Sequence, residues 1–201
     1  MPQLYLASKS PRRREILAQI GVAHHLIDID VPELRAEGES PEKYVERLAQ
    51  SKAQAGVQAL RSKGLAPAPV LGADTICVLD QQTLEKPRDE DHAIGMLLSM
   101  AGREHRVLTA ICLNDGRREE VACSETRVRF SHFTEAQART YWQTGEPVDK
   151  AGAYGIQGCG AALVEHISGS YSGVVGLPIE TLVPLLKLMN VAIWQKRIEN
   201  P

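Results

Sequence analysis

The segment from Leu4 to Leu17 constrains the fold most. It reads as a short strand, a tight turn through Ser8-Lys-Ser10, and a helix that opens on Pro11. Arg12, Arg13 and Arg14 fall in the first turn of that helix. Helix first turns favour acidic residues, because the macrodipole there is positive and the first N–H groups are unpaired. Arginines at this place run against the rule unless an anion docks onto the spare N–H groups and the guanidinium forks together. A polyphosphate is the natural candidate. The alternative is an ordinary N-capped helix with solvated arginines.

Further along, the helix from Pro11 to Ile20 carries Ile16, Leu17 and Ile20 on one face and stops at Gly21. His24 to Ile29 is expected as a second strand. Ser40-Pro41 gives an N-cap and first-turn pair for a long helix to about Ser62, ended by Gly64. The β-branched, apolar run Val70 to Leu79 is expected as a central strand. Asp89 caps a helix through Met100, which Gly102 ends. Arg106 to Leu113 and Glu120 to Phe130 pair as strands across the turn Asn114-Asp-Gly116. Thr134 and Gln137 form a capping box for a helix stopping near Gly145. A glycine-rich stretch from Gly152 to Gly160, a strand near Ala162 to Ile167 and a helix from Pro178 to about Trp194 complete the chain. Strands and helices mix without strict alternation, so the expected class is α/β: a mixed twisted sheet with flanking helices.

The 201 residues, 43% hydrophobic, suffice for one core and one domain over 1–201. A net charge of −2 argues against broad affinity for nucleic acid or membranes, and no apolar run is long enough to span a bilayer. Cys77, Cys112, Cys123 and Cys159 form no CxxC pair. They are expected as reduced thiols, at least three of them buried, in a cytoplasmic protein. The histidines lack zinc-site spacing.

Four segments set polar groups beside apolar runs. Ser8 and Ser10 offer hydroxyls, and Arg12 and Arg13 offer bidentate forks. Asp74 interrupts the strand Leu71-Gly-Ala-Asp-Thr75-Ile-Cys-Val78. A carboxylate there demands a cation, a metal or several N–H donors. It either binds a divalent ion or deprotonates water, with Thr75 beside it, or it ends one strand and caps a turn. Pro87 holds Lys86 extended, so that Lys86 reaches a phosphate or simply lies in a surface loop. In Asp149-Lys-Ala-Gly-Ala-Tyr-Gly-Ile-Gln-Gly158, the glycines allow close backbone approach, and the Gln157 amide can donate and accept as a pyrimidine edge requires. The alternative there is a flexible loop. Glu33, after Pro32, could be a second carboxylate for a metal. Lys52 lies near the buried stripe of the long helix. Local evidence for both favours a structural or solvated role.

Taken in order, these segments resemble the Maf family of nucleotide pyrophosphatases. The resemblance rests on Ser8-Lys-Ser-Pro-Arg-Arg13, Arg47-Leu-Ala with Lys52-Ala, Gly72-Ala-Asp-Thr75 and Glu85-Lys-Pro-Arg-Asp89. It continues through His105-Arg-Val-Leu-Thr-Ala110, Asp149 to Gln157, Ile167-Ser-Gly-Ser-Tyr171 and Val174-Val-Gly-Leu-Pro178. It implies two lobes around a central cleft, and divalent-metal-dependent cleavage of a nucleoside triphosphate to the monophosphate and pyrophosphate. Asp74 matches the proton acceptor. Arg13, Thr75 and Gln157 match positions that set base preference, and Arg12, Glu33, Lys52 and Lys86 match the rest of the polar pocket. Thr75, Lys86 and Gln157 together look like the branch acting on dTTP and UTP. Lys9 stands where the family commonly has glycine; a positive φ there would cost about 1 kcal/mol or more.

On this reading, Mg²⁺ or Mn²⁺ held by Asp74 and Glu33 bridges phosphate oxygens. Arg12, Arg13, Lys52 and Lys86 clamp the triphosphate, with Ser8 and Ser10 beside them, and water attacks the α-phosphorus. A homodimer fits the resemblance. Two other readings use the same pocket: a nucleotide-binding regulatory module linked to cell-division arrest, and a purine triphosphate house-cleaning pyrophosphatase.

Overall fold

The computed structural model describes residues 3–195. Its strands are β1 (Tyr5–Ala7), β2 (His25–Leu26), β3 (Val70–Leu79), β4 (Gln82–Leu84), β5 (Glu104–Asn114), β6 (Glu119–Phe130) and β7 (Val164–Ser168). The helices are α1 (Pro11–Gln19), α2 (Pro41–Ser62), α3 (Glu90–Met100), α4 (Glu135–Trp142), α5 (Tyr171–Val175) and α6 (Ile179–Leu188). Short 3-10 turns lie between α4 and β7.

The strands form one seven-stranded mixed sheet in the order β2-β1-β3-β5-β6-β7, with β4 also on β3. β2, β1 and β3 run parallel, and the remaining pairings are antiparallel. Side chains alternate along β3. Ile76 and Val78 face the α2 side, packing with Tyr44, Val45, Leu48 and Ala53. Leu71, Ala73, Cys77 and Leu79 face the larger core with α1, α3 and α6. Each fully buried leucine there, such as Leu6, Leu71 and Leu97, contributes about 1.5–3 kcal/mol.

One detail of the sheet creates the cleft. β5 pairs with β3 from Val70 to Val78 along one edge. β1 and β4 therefore share the other edge, where β1 meets Val70 to Gly72 and β4 meets Cys77 to Leu79. Between them, Ala73 to Ile76 has no neighbouring strand among the described residues. α2 crosses beside this opening, and Gly72 lets it come close. A Cβ at Gly72 would collide with the Ala49 carbonyl oxygen and stand 2.5 Å from the Ala53 nitrogen.

Most expected elements form where the sequence places them. Ser40 caps α2 by accepting from the Lys43 N–H, Asp89 caps α3, and Thr134 with Gln137 makes the capping box of α4. Three expectations need correction, and one strand was not foreseen. The second strand is two residues, not six, because the chain leaves β1 after Leu26 and carries Ile29 to Glu33 to the cleft. The last helix ends at Leu188, not Trp194. Asn190 adopts a left-handed φ of 56°, and the Val191 N–H closes back on the Leu186 carbonyl. β4 was not foreseen. It returns through a two-residue turn in which Asp80 and Gln81 both have positive φ, without glycine to mark it. Finally, all four cysteines are free, but only Cys77 and Cys112 are buried. Cys123 is half-buried at the edge of the α2-side cluster, and Cys159 is exposed on the glycine-rich turn.

Candidate active site

All the expected site residues line one cavity of about 880 Å³ beside the bare stretch of β3: Ser8, Ser10, Arg12, Arg13, Glu33, Lys52, Asp74, Thr75, Lys86 and Gln157. Asp74 and Thr75 point to opposite faces of the strand, yet both reach the cavity because no strand covers the edge between them.

On the α2 side, Lys52 gathers two carboxylates. Its Nζ lies 2.7 Å from Asp74 Oδ1 and 2.5 Å from Glu33 Oε1. Lys52 and Asp74 are only 7% exposed each, whereas the Glu33 side chain is half-exposed. Burial pushes the Asp74 carboxyl above the ordinary carboxylate range, against the opposing charges of Lys52 and Arg13. Partial burial also works upward on Glu33, but the Lys52 hydrogen bond and charge outweigh it and hold Glu33 below its usual value. The loop bearing Glu33 is pinned to α2. Tyr44 OH donates to the Glu33 carbonyl at 3.0 Å, and Arg47 grips Glu39 through Nε and Nη2 at 2.7 and 2.8 Å. Tyr44 was not foreseen; its phenol matters through a backbone contact that spacing does not reveal.

On the other side, three of the five Arg13 N–H donors are used inside the protein. Nε donates to the Gly176 carbonyl at 2.8 Å, Nη1 to Ser8 Oγ at 2.9 Å and Nη2 to Thr75 Oγ1 at 3.1 Å. Gly176 presents that carbonyl with φ +132°, a conformation L side chains rarely adopt. Carbonyl and hydroxyl oxygens thus orient Arg13, and its second Nη1 and Nη2 hydrogens are left over at the cavity wall. α1 still opens toward the cavity. Ser10 makes no side-chain cap, and no acid stands in the first turn. Lys9 has no positive φ, so it brings no backbone strain; its ammonium lies 3.6 Å from Asp28 at the surface.

The glycine-rich segment forms the third wall. Tyr141 OH donates to Glu146 Oε1 at 2.6 Å and accepts the Gly155 N–H, while Glu146 also accepts the N–H groups of Cys159 and Gly160. One phenol–carboxylate pair thus ties down both ends of the turn that presents Gln157. Behind it, His105 Nε2 lies 2.9 Å from Tyr154 OH in a buried cluster with Phe130. Glu146 and His105 were not foreseen as site supports.

The lining is not simply cationic. Asp30, Glu33, Asp74, Glu85, Glu146 and Asp149 share the cavity with the basic residues. Lys150 is held by Asp149 at 2.7 Å, and Arg13 and Lys52 are engaged as described. Arg12 and Lys86 remain as cavity cations with no ion pair among the described residues. A triphosphate entering this lining meets carboxylates as well as cations, and a divalent cation would relieve the repulsion between them. The described residues contain no cluster of three or more His, Cys, Asp or Glu side chains fit to hold a metal. Two carboxylates converging on one cation are, however, what Mg²⁺ takes from a protein when phosphate oxygens and water complete its shell. Asp74 and Glu33 fit an ion of that kind. No described helix is long and apolar enough to cross a membrane.

The sequence was compared with known proteins. The family model described as "Maf-like protein" matches residues 3–189. A dTTP/UTP pyrophosphatase of Saccharophagus degradans is 49% identical over 194 residues, covering 96% of this chain and 91% of the relative. Proteins of the same name from Alkalilimnicola ehrlichii and Escherichia coli O157:H7 are each 49% identical, and cover 92% and 98% of this chain with equal shares of their own.

Proposed function

From the premise that the chain belongs to the Maf family, we propose that it is a nucleoside triphosphate pyrophosphatase, which hydrolyses dTTP and UTP to the monophosphate and pyrophosphate. The observation that carries the reading is the convergence of Lys52, Asp74 and Glu33 on one point of a cavity that also contains Arg12, Lys86 and an uncapped helix start. The relatives' names support the pyrimidine substrates, and none of them carries the regulatory or purine reading.

The chain's own groups divide the work. The triphosphate docks against the first turn of α1, with Ser8 and Ser10 at its mouth, Arg12 as a fork and Lys86 as a point charge. Asp74 takes the proton of the water that attacks the α-phosphorus, and pyrophosphate leaves. Burial raises the proton affinity of Asp74, which suits a base acting near neutral pH. Lys52 orients that carboxylate and Glu33 together. Mg²⁺ or Mn²⁺, held by Asp74 and Glu33, would neutralise phosphate charge. Gln157, on its clamped turn, meets the base edge. Residues 1–201 act as a single domain, and the free thiols suit the cytoplasm.

The test is pyrophosphate release from a panel of pyrimidine and purine triphosphates with added Mg²⁺ or Mn²⁺. Fastest turnover is expected with dTTP and UTP. Saturable binding without release from any of them would overturn the enzymatic reading, and preferred turnover of purine triphosphates would overturn the substrate.

A further inference from the structure

Helix α2 touches the loop that carries Glu33 at two levels. Lys52 meets the Glu33 side chain, and two residues nearer the start of the helix meet the backbone just after it. Tyr44 OH donates to the Glu33 carbonyl at 3.0 Å, and Arg47 Nη2 donates to the Leu34 carbonyl at 2.9 Å. The rest of the Arg47 grip goes to Glu39: Nε reaches Oε1 at 2.7 Å and Nη2 reaches Oε2 at 2.8 Å. Nη2 carries two hydrogens, so it serves Leu34 and Glu39 at once. Glu39 in turn organises the bend. Its carboxylate accepts the Ala36 N–H at 3.0 Å, and its carbonyl accepts Arg35 Nε at 2.8 Å. The chain from Glu33 to Glu39 is therefore folded around one carboxylate, and Arg47 holds that carboxylate on α2. The Arg47 guanidinium also stands 5.5 Å from the centre of the Tyr44 ring, so the two holding residues brace each other.

The loop needs such a holder. Residues 33–38 are all exposed and form neither strand nor helix, so no buried side chain of theirs anchors it. Lys52 is a shared anchor, because its ammonium also serves Asp74. A carboxylate on a free loop loses affinity for a cation in proportion to the time it spends elsewhere. We infer that Arg47 is a positioning residue for the metal carboxylate: through the Leu34 carbonyl and Glu39 it holds the bend on α2, so that Glu33 already stands beside Asp74 when a divalent cation arrives. Arg47 itself does not line the cavity. The inference rests on the pyrophosphatase reading, and it gives a residue outside the cavity a part in the metal requirement.

The test is the Mg²⁺ concentration that gives half the maximal rate of pyrophosphate release from dTTP, measured beside trypsin cleavage after Arg35, which lies in the bend. In Arg47→Met that concentration should rise about tenfold or more, the usual effect of removing an outer partner of a metal ligand. The kcat at saturating Mg²⁺ should stay within about twofold of the wild type. Trypsin should cut after Arg35 faster than in the wild type, at a temperature below the unfolding midpoint of both. Glu33→Gln should raise the Mg²⁺ requirement too, and adding Arg47→Met to it should raise it no further, because Arg47 acts through Glu33. If Arg47→Met does not fold, Tyr44→Phe, which removes one hydroxyl, should shift the requirement and the cleavage in the same directions. An unchanged Mg²⁺ requirement overturns the inference, as does a rise of equal size with and without Glu33. So does an unchanged rate of cleavage after Arg35. Absence of pyrophosphate release by the wild type, or release without any metal, would instead strike the underlying reading, and the cleavage would still decide whether Arg47 holds the bend.

Discussion

Asp74 and Thr75, consecutive on β3, face opposite sides of the sheet and line the same cavity. Asp74 looks toward Lys52 on α2, and Thr75 toward Arg13 and Thr109 on the other side. The bare strand edge between β1 and β4 opens both faces to that cavity, so a buried carboxylate and a half-buried hydroxyl share it.

Asp74→Asn should fold as the wild type does and lose at least about 100-fold in kcat/KM. The amide keeps the shape but cannot accept the proton of water, and it removes a buried charge rather than creating one. Pyrophosphate release and thermal unfolding on the same sample check both halves. Near wild-type turnover would remove Asp74 from the chemistry.

Lys52→Met should move the acid limb of kcat/KM to higher pH, by roughly one unit or more. Burial sets the raised position of Asp74, and Lys52 is the largest charge opposing it. Without it the carboxyl is raised further, so it protonates earlier as the pH falls. An unpaired buried carboxylate also costs about 3–5 kcal/mol at neutral pH. That penalty is relieved as Asp74 takes up its proton, so the variant should regain part of the lost stability on acidification. A pH–rate profile and urea unfolding at several pH values measure the two effects.

Gly72→Ala tests the contact between α2 and β3. The new Cβ would meet main-chain atoms of Ala49 and Ala53, which cannot swing away as a side chain can. Destabilisation of about 1–3 kcal/mol or more is expected from urea unfolding. Activity should fall as well, because the shifted helix carries Lys52. Wild-type stability would mean that the close approach is dispensable.

His105 predicts a slope of stability with pH. It is 2% exposed, and burial lowers its imidazole from 6.5 to about 4. The unfolded chain takes up this proton below about pH 6.5, whereas the folded protein does not until about pH 4. The stabilisation is therefore complete above pH 6.5 and lost as the pH falls toward 4. It amounts to about 3 kcal/mol, from the gap between the two values. His105→Phe should flatten that part of the slope in urea unfolding between pH 7 and pH 4. An unaltered slope would assign it to other groups.

The sequence made local structure legible wherever a terminus carries its own chemistry. Ser40-Pro41, Asp89 and Thr134 with Gln137 each announce a helix start, and α2, α3 and α4 begin there. β4 was hidden because its turn uses Asp80 and Gln81 in left-handed conformations that usually call for glycine or asparagine. The candidate site was legible as residue types, and less so as partnerships. Asp74 in an apolar run demanded a cation, but nothing near it in the chain indicated that the cation was Lys52, 22 residues away. Arg13 demanded an oxygen, and the one it meets through Nε belongs to Gly176, 163 positions on. The partners of Thr109, which are Thr75 and the Gly173 carbonyl, were hidden as well, since a threonine in an apolar strand shows them only once the fold is known.

An unpaired strand edge is ordinarily a hazard, because its free amides and carbonyls can recruit a strand from another molecule. The stretch from Ala73 to Ile76 is only about 13 Å long and is stopped at both ends by β1 and β4. A foreign strand entering it would have to end almost as soon as it began, against a wall of buried charge. The opening is wide enough for a small ligand and too short for a polypeptide, so the gap in the sheet offers no template for adding a foreign strand.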